Sequence, residues 1–266
     1  MALRETTDVT IRPLSAALGA EILGIDLSRP IDEATFATIH RLFLDHSLIL
    51  LRDQHFSPEQ HIAFSRRFGD LVIHVFDQFL LPGHPEILRV SNKRKNGALI
   101  GLADAGKYWH SDLAYMKRPS LGSILYSLEI PPEGGNTLFA NMTRAYDTLS
   151  HDMKARLEGL TAVNRVAEGR RTSADGRIRM SKAQLAKTPD VVHPVIRTHP
   201  ETGRKSLYVS QSHTDRIVGM DEDGGRALIR ELVAHATRPD NIYTHLWRPH
   251  DVLMWDNRCT MHRVEA

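Results

Sequence analysis

The chain carries one cysteine, Cys259, among its 266 residues. That excludes an internal disulfide framework and fits a reducing compartment. No run of apolar residues approaches membrane-spanning length, and the opening MALRETTDVTIRPL lacks the apolar core of a signal peptide. No block of one charge stands out either. The formal net charge is +2, and RRF at 66–68 and KRK at 93–95 are too short for a nucleic-acid footprint. Repeats, low-complexity tracts and Gly/Ser linkers are all missing. These absences predict a single cytoplasmic domain, residues 1–266, with no nucleic-acid or membrane partner. At 41% hydrophobic and 25% charged, such a chain can bury a sizeable core. What it has in excess is histidine, fifteen in all.

The first part of the chain reads as helices between short strands. IRPLSAALGAEILGIDLS suggests strands around a turn. Asp32 can cap a helix over EATFATIHRLFLDH, and Ser47 to Arg52 is a buried-strand run. SPEQHIAFSRRFG opens with Ser57 as N-cap, Pro58 at the first helical position and Gln60 completing a capping box. From residue 108 the texture turns to strands and turn chemistry. YWHSDLAY, SLGSILYSLEI, NTLFAN after PPEGG, a hairpin around ETG, DVLMW and CTMH all read as extended, with a helix from Asp221 to about His235. Residues 168–187 read as a polar loop or lid. The expected fold is mainly β with appended helices (α+β), a double-stranded β-helix or jelly roll of the cupin type at its core.

Within YWHSDLAY, His110 and Asp112 stand two residues apart. On a strand they share one face, a geometry that suits two ligands of one metal ion. The spacing alone is weak, because the composition generates such pairs by chance and the chain has a second, His213 and Asp215. Either pair alone is more often a surface or hydrogen-bonded pair. Context favours the first: it is flanked by Tyr108, Trp109, Leu113 and Tyr115, whereas Asp215 suits a turn. A buried carboxylate beside an imidazole is costly unless paired or metal-bound. His262 in WDNRCTMHR is placed to add a third ligand, while His245 and His250 read as exposed. Two histidines and a carboxylate are the donor set of non-haem Fe(II) oxygenases. A zinc hydrolase shares that set but keeps one open position, and no HExxH helix is present.

Five ordered motifs sharpen this. WHSD (109–112), EGGNTLFANM (133–142) followed by AYDTL, HPVIRTHPETGRKSLYV (193–209) and MWDNRCTMHR (254–263), with LGAEILGIDL and QHIAFSRRFG upstream, resemble the taurine dioxygenase family. This family of Fe(II)/2-oxoglutarate-dependent dioxygenases includes the phenoxyalkanoate-degrading enzymes. The resemblance implies a jelly roll with Fe(II) on His110, Asp112 and His262. It implies 2-oxoglutarate and O2 as cosubstrates, with Thr137 of the GGxT motif touching a 2-oxoglutarate carboxylate. His74 in DLVIHVFDQ matches a position that contacts an anionic head group. The expected reaction hydroxylates a small organic anion of the sulfonate, aryloxyalkanoate or alkyl sulfate type and yields succinate and CO2. A homo-oligomer, dimer or tetramer, is expected.

Three features depart from the pattern. GGDT is GGNT here, with Asn136. Asp77 stands where the taurine enzyme has a tyrosine, and Gly106 lies four residues before His110, which turns the expectation away from taurine. The family's arginine for the distal 2-oxoglutarate carboxylate lies on the strand beyond His262. Arg258, in a turn, and Arg263, pointing away from the His262 face, are poor substitutes. A C-terminal strand carrying that arginine is therefore expected beyond Ala266. The competing reading from another class is a non-catalytic cupin-like metal- or ligand-binding protein, which would form no succinate.

Overall fold

A computed structural model describes residues 9–172 and 177–265. The middle of the expected lid, residues 173–176, and Ala266 lie outside the described residues. Two sheets carry the centre of the molecule. One is five-stranded, in the order Thr10–Pro13, Ala20–Leu23, Leu48–Leu51, Val252–Asp256, Gly122–Tyr126. The other is three-stranded, with Thr137–Asn141 between Ile242–His245 and Thr260–Val264.

Alternation along the strands explains their composition. In Leu48–Leu51, Leu48 and Leu50 meet Phe139, Leu253 and Trp255 between the two sheets. Ile49 and Leu51 instead pack with Val252 and Met254 beneath the helix Glu33–His46, through Ile39, Leu42 and Phe43. A strand buried on both faces must be apolar at every position. The second sheet is covered likewise: Phe139 faces inward, while Ala140 and Met261 lie under the helix Glu222–Ala236. The helix starts follow the sequence signals. Asp32 accepts from the Thr35 amide, Asp221 from the Gly224 amide, and Ser57 and Gln60 close a capping box around Pro58.

Four expectations need correction. YWHSDLAY forms no strand: His110 makes one isolated bridge to His262, and the chain then turns, with Leu113 at φ 55°. Residues 168–187 are not a bare polar loop. They carry the short helices Glu168–Thr172 and Lys182–Ala186 and bury Arg170 and Met180. Arg170 binds Asp104 at 2.7 Å and lies over the Phe76 ring, which replaces the apolar anchors the sequence lacks there. His245 is not exposed but fully buried, held by Asp251 at 3.1 Å and Tyr243 at 2.9 Å, and His250 is half-buried. Asp215 serves no turn; it lies on the strand Thr214–Ile217 and pairs with Arg165 and Arg216.

Candidate metal centre

The centre forms where a loop crosses the end of the second sheet. His110 and His262 are directly opposed: the amide of each donates to the other's carbonyl, at 3.0 and 2.7 Å. Opposed residues of an antiparallel pair project to the same side, and the two rings lie 4.2 Å apart between centroids. Asp112 arrives by a turn and not by strand alternation. The Ser111 hydroxyl anchors that turn on the Thr260 carbonyl at 2.7 Å, and the Asp112 amide donates to Asn257 Oδ1 at 3.2 Å.

One oxygen of the carboxylate is already engaged. Ser123 donates to Asp112 Oδ2 at 2.6 Å and itself accepts from Asn257 Nδ2 at 3.0 Å. Trp255 Nε1 donates to Asn257 Oδ1 at 3.1 Å and fixes that amide. The other oxygen, Oδ1, faces the rings, 3.5 Å from His110 Nε2 and 3.7 Å from His262 Nε2. Both separations are long for hydrogen bonds. The three donor atoms nevertheless sit within 4.8 Å of one another, the spacing of ligands around a shared cation. His110 Nδ1 lies 2.8 Å from the Tyr108 carbonyl, which can only accept, so the Nε2 lone pair points inward.

The charges agree. Burial opposes ionisation of Asp112, yet the His262 and His110 imidazoles and the Ser123 hydroxyl hold its carboxyl well below the usual carboxylate range. Burial, with the charge of His110, pushes His262 down to about 3. At neutral pH the site offers the Asp112 carboxylate and an unprotonated His262 imidazole, the forms that bind a metal.

Several side chains surround this trio. Tyr115 and His213 pack ring to ring at 4.9 Å, and His213 meets His110 edge-on at 6.0 Å. The second His-x-Asp histidine thus belongs to the site's wall, a role its spacing did not reveal. Ser123, Asn257 and Tyr115 were also missed as site residues, because nothing local marks a serine or asparagine that acts across the fold. His74 is half-buried, and burial lowers its pKa, with Asp112 opposing and Arg170 assisting. Its Nδ1 accepts from the Phe76 amide at 3.1 Å, which leaves Nε2 as a donor. Thr137 is buried on the same strand face as Phe139, whose ring stacks on His262 at 5.6 Å.

Asp77 is exposed, 3.4 Å from Gln184. Gly106 has φ 77°, and a Cβ there would meet Val264 Cγ2 at 2.7 Å, so the position admits only glycine. Arg263 lies over the Trp109 ring at 5.4 Å. A second buried group, His199, Asp256 and Cys259, also converges within 4.8 Å. There Asp256 is saturated by Arg258 at 2.6 and 2.8 Å and His199 at 3.0 Å, and burial drives the Cys259 thiol to about 12. That group clasps the turn before His262, and Arg258 is committed to it.

Two imidazoles and one carboxylate that meet at a common point are the donor set of mononuclear non-haem iron oxygenases. Residues 10–266 match the family model "Taurine catabolism dioxygenase TauD, TfdA family", and the chain belongs to that family. It is similar to the (S)-phenoxypropionate/alpha-ketoglutarate-dioxygenase of Sphingobium herbicidovorans, 34% identical over 96% of this chain and 88% of the relative. The alpha-ketoglutarate-dependent 2,4-dichlorophenoxyacetate dioxygenase of Cupriavidus pinatubonensis is also 34% identical, over 96% and 91%. A taurine dioxygenase from Burkholderia xenovorans superimposes with a TM-score of 0.80 at 34% identity, covering 97% of this chain and 83% of the other. The protein is accordingly a 2-oxoglutarate-dependent dioxygenase that uses Fe(II), 2-oxoglutarate and O2. Among the described residues no helix is long and apolar enough to cross a membrane.

Proposed function

We propose that His110, Asp112 and His262 hold one Fe(II), that the Thr137 hydroxyl binds a 2-oxoglutarate carboxylate, and that the substrate is a small aryloxyalkanoate-type anion. The observation that carries this is the approach of both Nε2 atoms to one Asp112 oxygen at 3.5 and 3.7 Å, with the other oxygen held by Ser123. The packing of the two sheets across Phe139 supports reading them as the walls of a jelly roll. When bound, Fe(II) and 2-oxoglutarate would let O2 deliver one oxygen atom to succinate, with release of CO2, and the other to a substrate carbon as a hydroxyl.

The chain's own groups do the rest. The directly opposed pair fixes two ligand rings, and Ser123 leaves Asp112 one free oxygen. His74, neutral with Nε2–H available, donates a hydrogen bond to an acidic head group. Phe76, Phe79, Tyr115 and Met180 form an apolar cluster that limits water beside it. The substrate class follows the phenoxypropionate and 2,4-dichlorophenoxyacetate relatives; alkyl sulfates and sulfonates are the next anions to try. The test is anaerobic loading with Fe(II) and 2-oxoglutarate, then succinate release on admitting O2 across aryloxyalkanoates, alkyl sulfates and sulfonates. One equivalent of succinate per oxidised aryloxyalkanoate is expected; release with sulfonates alone would overturn the substrate class.

A further inference from the structure

Thr137 is engaged before any ligand arrives. Trp247 Nε1 donates to Thr137 Oγ1 at 3.0 Å. An indole N–H can only donate, so the threonine oxygen is the acceptor, and its own proton must seek a different partner. The indole itself is braced. Its ring meets His245 edge-on at 4.4 Å and 89°. Both His245 nitrogens are occupied, by Tyr243 at 2.9 Å and Asp251 at 3.1 Å, and Asp251 is bound by Arg52 at 2.8 Å. His245 is the cross-strand partner of Thr137, so the brace and the hydroxyl lie side by side on one sheet.

The register also says which end of a ligand Thr137 meets. His262 pairs with Phe139 and Val264 with Thr137, so Thr137 lies one same-face step from the row that holds the metal ligand. That step is two residues, roughly 7 Å along a strand. This is too far to share the metal-bound end of a chelating 2-oxoacid.

We infer that Trp247 is a positioning residue: by filling the acceptor side of the Thr137 hydroxyl, it makes Thr137 a one-way donor to the distal carboxylate of 2-oxoglutarate. This rests on the assignment of Thr137 to 2-oxoglutarate given above. A free hydroxyl rotates and can offer either a proton or a lone pair. One held by an indole N–H has one of its two lone pairs committed, so fewer positions remain for its proton and the choice is narrowed before binding.

The test uses the Fe(II)-loaded protein without oxygen, titrated with 2-oxoglutarate or with pyruvate, a 2-oxoacid without the distal carboxylate. Binding is read from the visible absorption of the iron chelate. Trp247→Phe keeps an aromatic ring and removes the N–H. It should weaken 2-oxoglutarate about tenfold and leave pyruvate unchanged. Thr137→Val should do the same, and the double variant should be no worse than either single one. If Thr137→Val leaves 2-oxoglutarate binding intact, the Thr137 assignment fails, and this inference fails with it. If Thr137→Val weakens binding but Trp247→Phe does not, the assignment stands and Trp247 is only structural. Equal weakening of pyruvate by Trp247→Phe, or additive effects, also overturns the positioning role. A measurement on the unaltered chain removes any dependence on how Trp247→Phe folds. The indole N–H resonance displaced by Thr137→Val should shift on adding 2-oxoglutarate and stay put with pyruvate; no shift would overturn the inference.

Discussion

The two His-x-Asp pairs of this chain carry the same letters and do opposite work. His110 and Asp112 converge with His262 on one point. His213 donates from Nδ1 to the Arg165 carbonyl at 3.1 Å, while Asp215 binds the guanidinium of that same Arg165 at 3.3 Å. In neither pair does simple i, i+2 alternation explain the outcome. Asp112 is bent toward the rings by a turn pinned on Asn257 and Thr260, and His213 precedes the strand that carries Asp215. What separates them is the residue across the fold: an imidazole opposite His110, an arginine opposite Asp215.

Breaking the first pair should have the largest effect. His110→Ala, Asp112→Ala or His262→Ala removes one of three donors and should abolish stoichiometric Fe(II) binding and turnover, as metal analysis after gel filtration would show. Retained full-strength binding in Asp112→Ala would refute the ligand set. Ser123→Ala leaves the donors in place but frees Asp112 Oδ2. Loss of such a supporting hydrogen bond should cost about 10- to 100-fold in Fe(II) affinity, measured by competition with a chelator. An unchanged affinity would make Ser123 a bystander.

His74→Ala should raise the substrate KM about tenfold while the 2-oxoglutarate Kd stays within twofold. Equal loss of both would show that His74 organises the whole site. In the second pair, Asp215→Asn removes partly exposed ion pairs and should cost less than about 1 kcal/mol of stability with Fe(II) binding unaltered. A loss of iron in that variant would erase the contrast between the pairs.

The smallest effect is on acid stability. Burial holds His61 down to about 4, well below its usual 6.5, near the rings of Phe56 and Tyr126. The unfolded chain then binds a proton that the folded chain refuses as pH falls from 6.5 toward 4. Stability should drop across that window, and His61→Gln should flatten the slope of melting temperature against pH.

Much of this was legible beforehand. Helix starts at Asp32, Ser57 and Asp221 are written in local capping chemistry, and the all-apolar LILL marks a strand covered on both faces. The meeting of His110, Asp112 and His262 was legible too, although for an incomplete reason, since alternation on a strand does not deliver Asp112. What could not be read is interaction between distant positions. His245 looked exposed because it neighbours Trp247, Arg248 and Pro249, yet Asp251 and Tyr243 enclose it. Arg170 looked like part of a polar loop, and only the meeting with Asp104 makes its burial tolerable.

The bridge between His110 and His262 has a further consequence, for the order in which the protein acquires its metal. The neighbouring contact from Ser111 to Thr260 spans 149 positions of the sequence. A nascent chain that ends before the strand Thr260–Val264 carries two of the three proposed donors, His110 and Asp112, and lacks His262. Closing so long a loop is slow and belongs to the late steps of folding. On the proposed ligand set, iron enters a folded protein and does not nucleate its folding. The backbone amides of His110 and His262 should be among the last to exchange with deuterated solvent, with or without the ion.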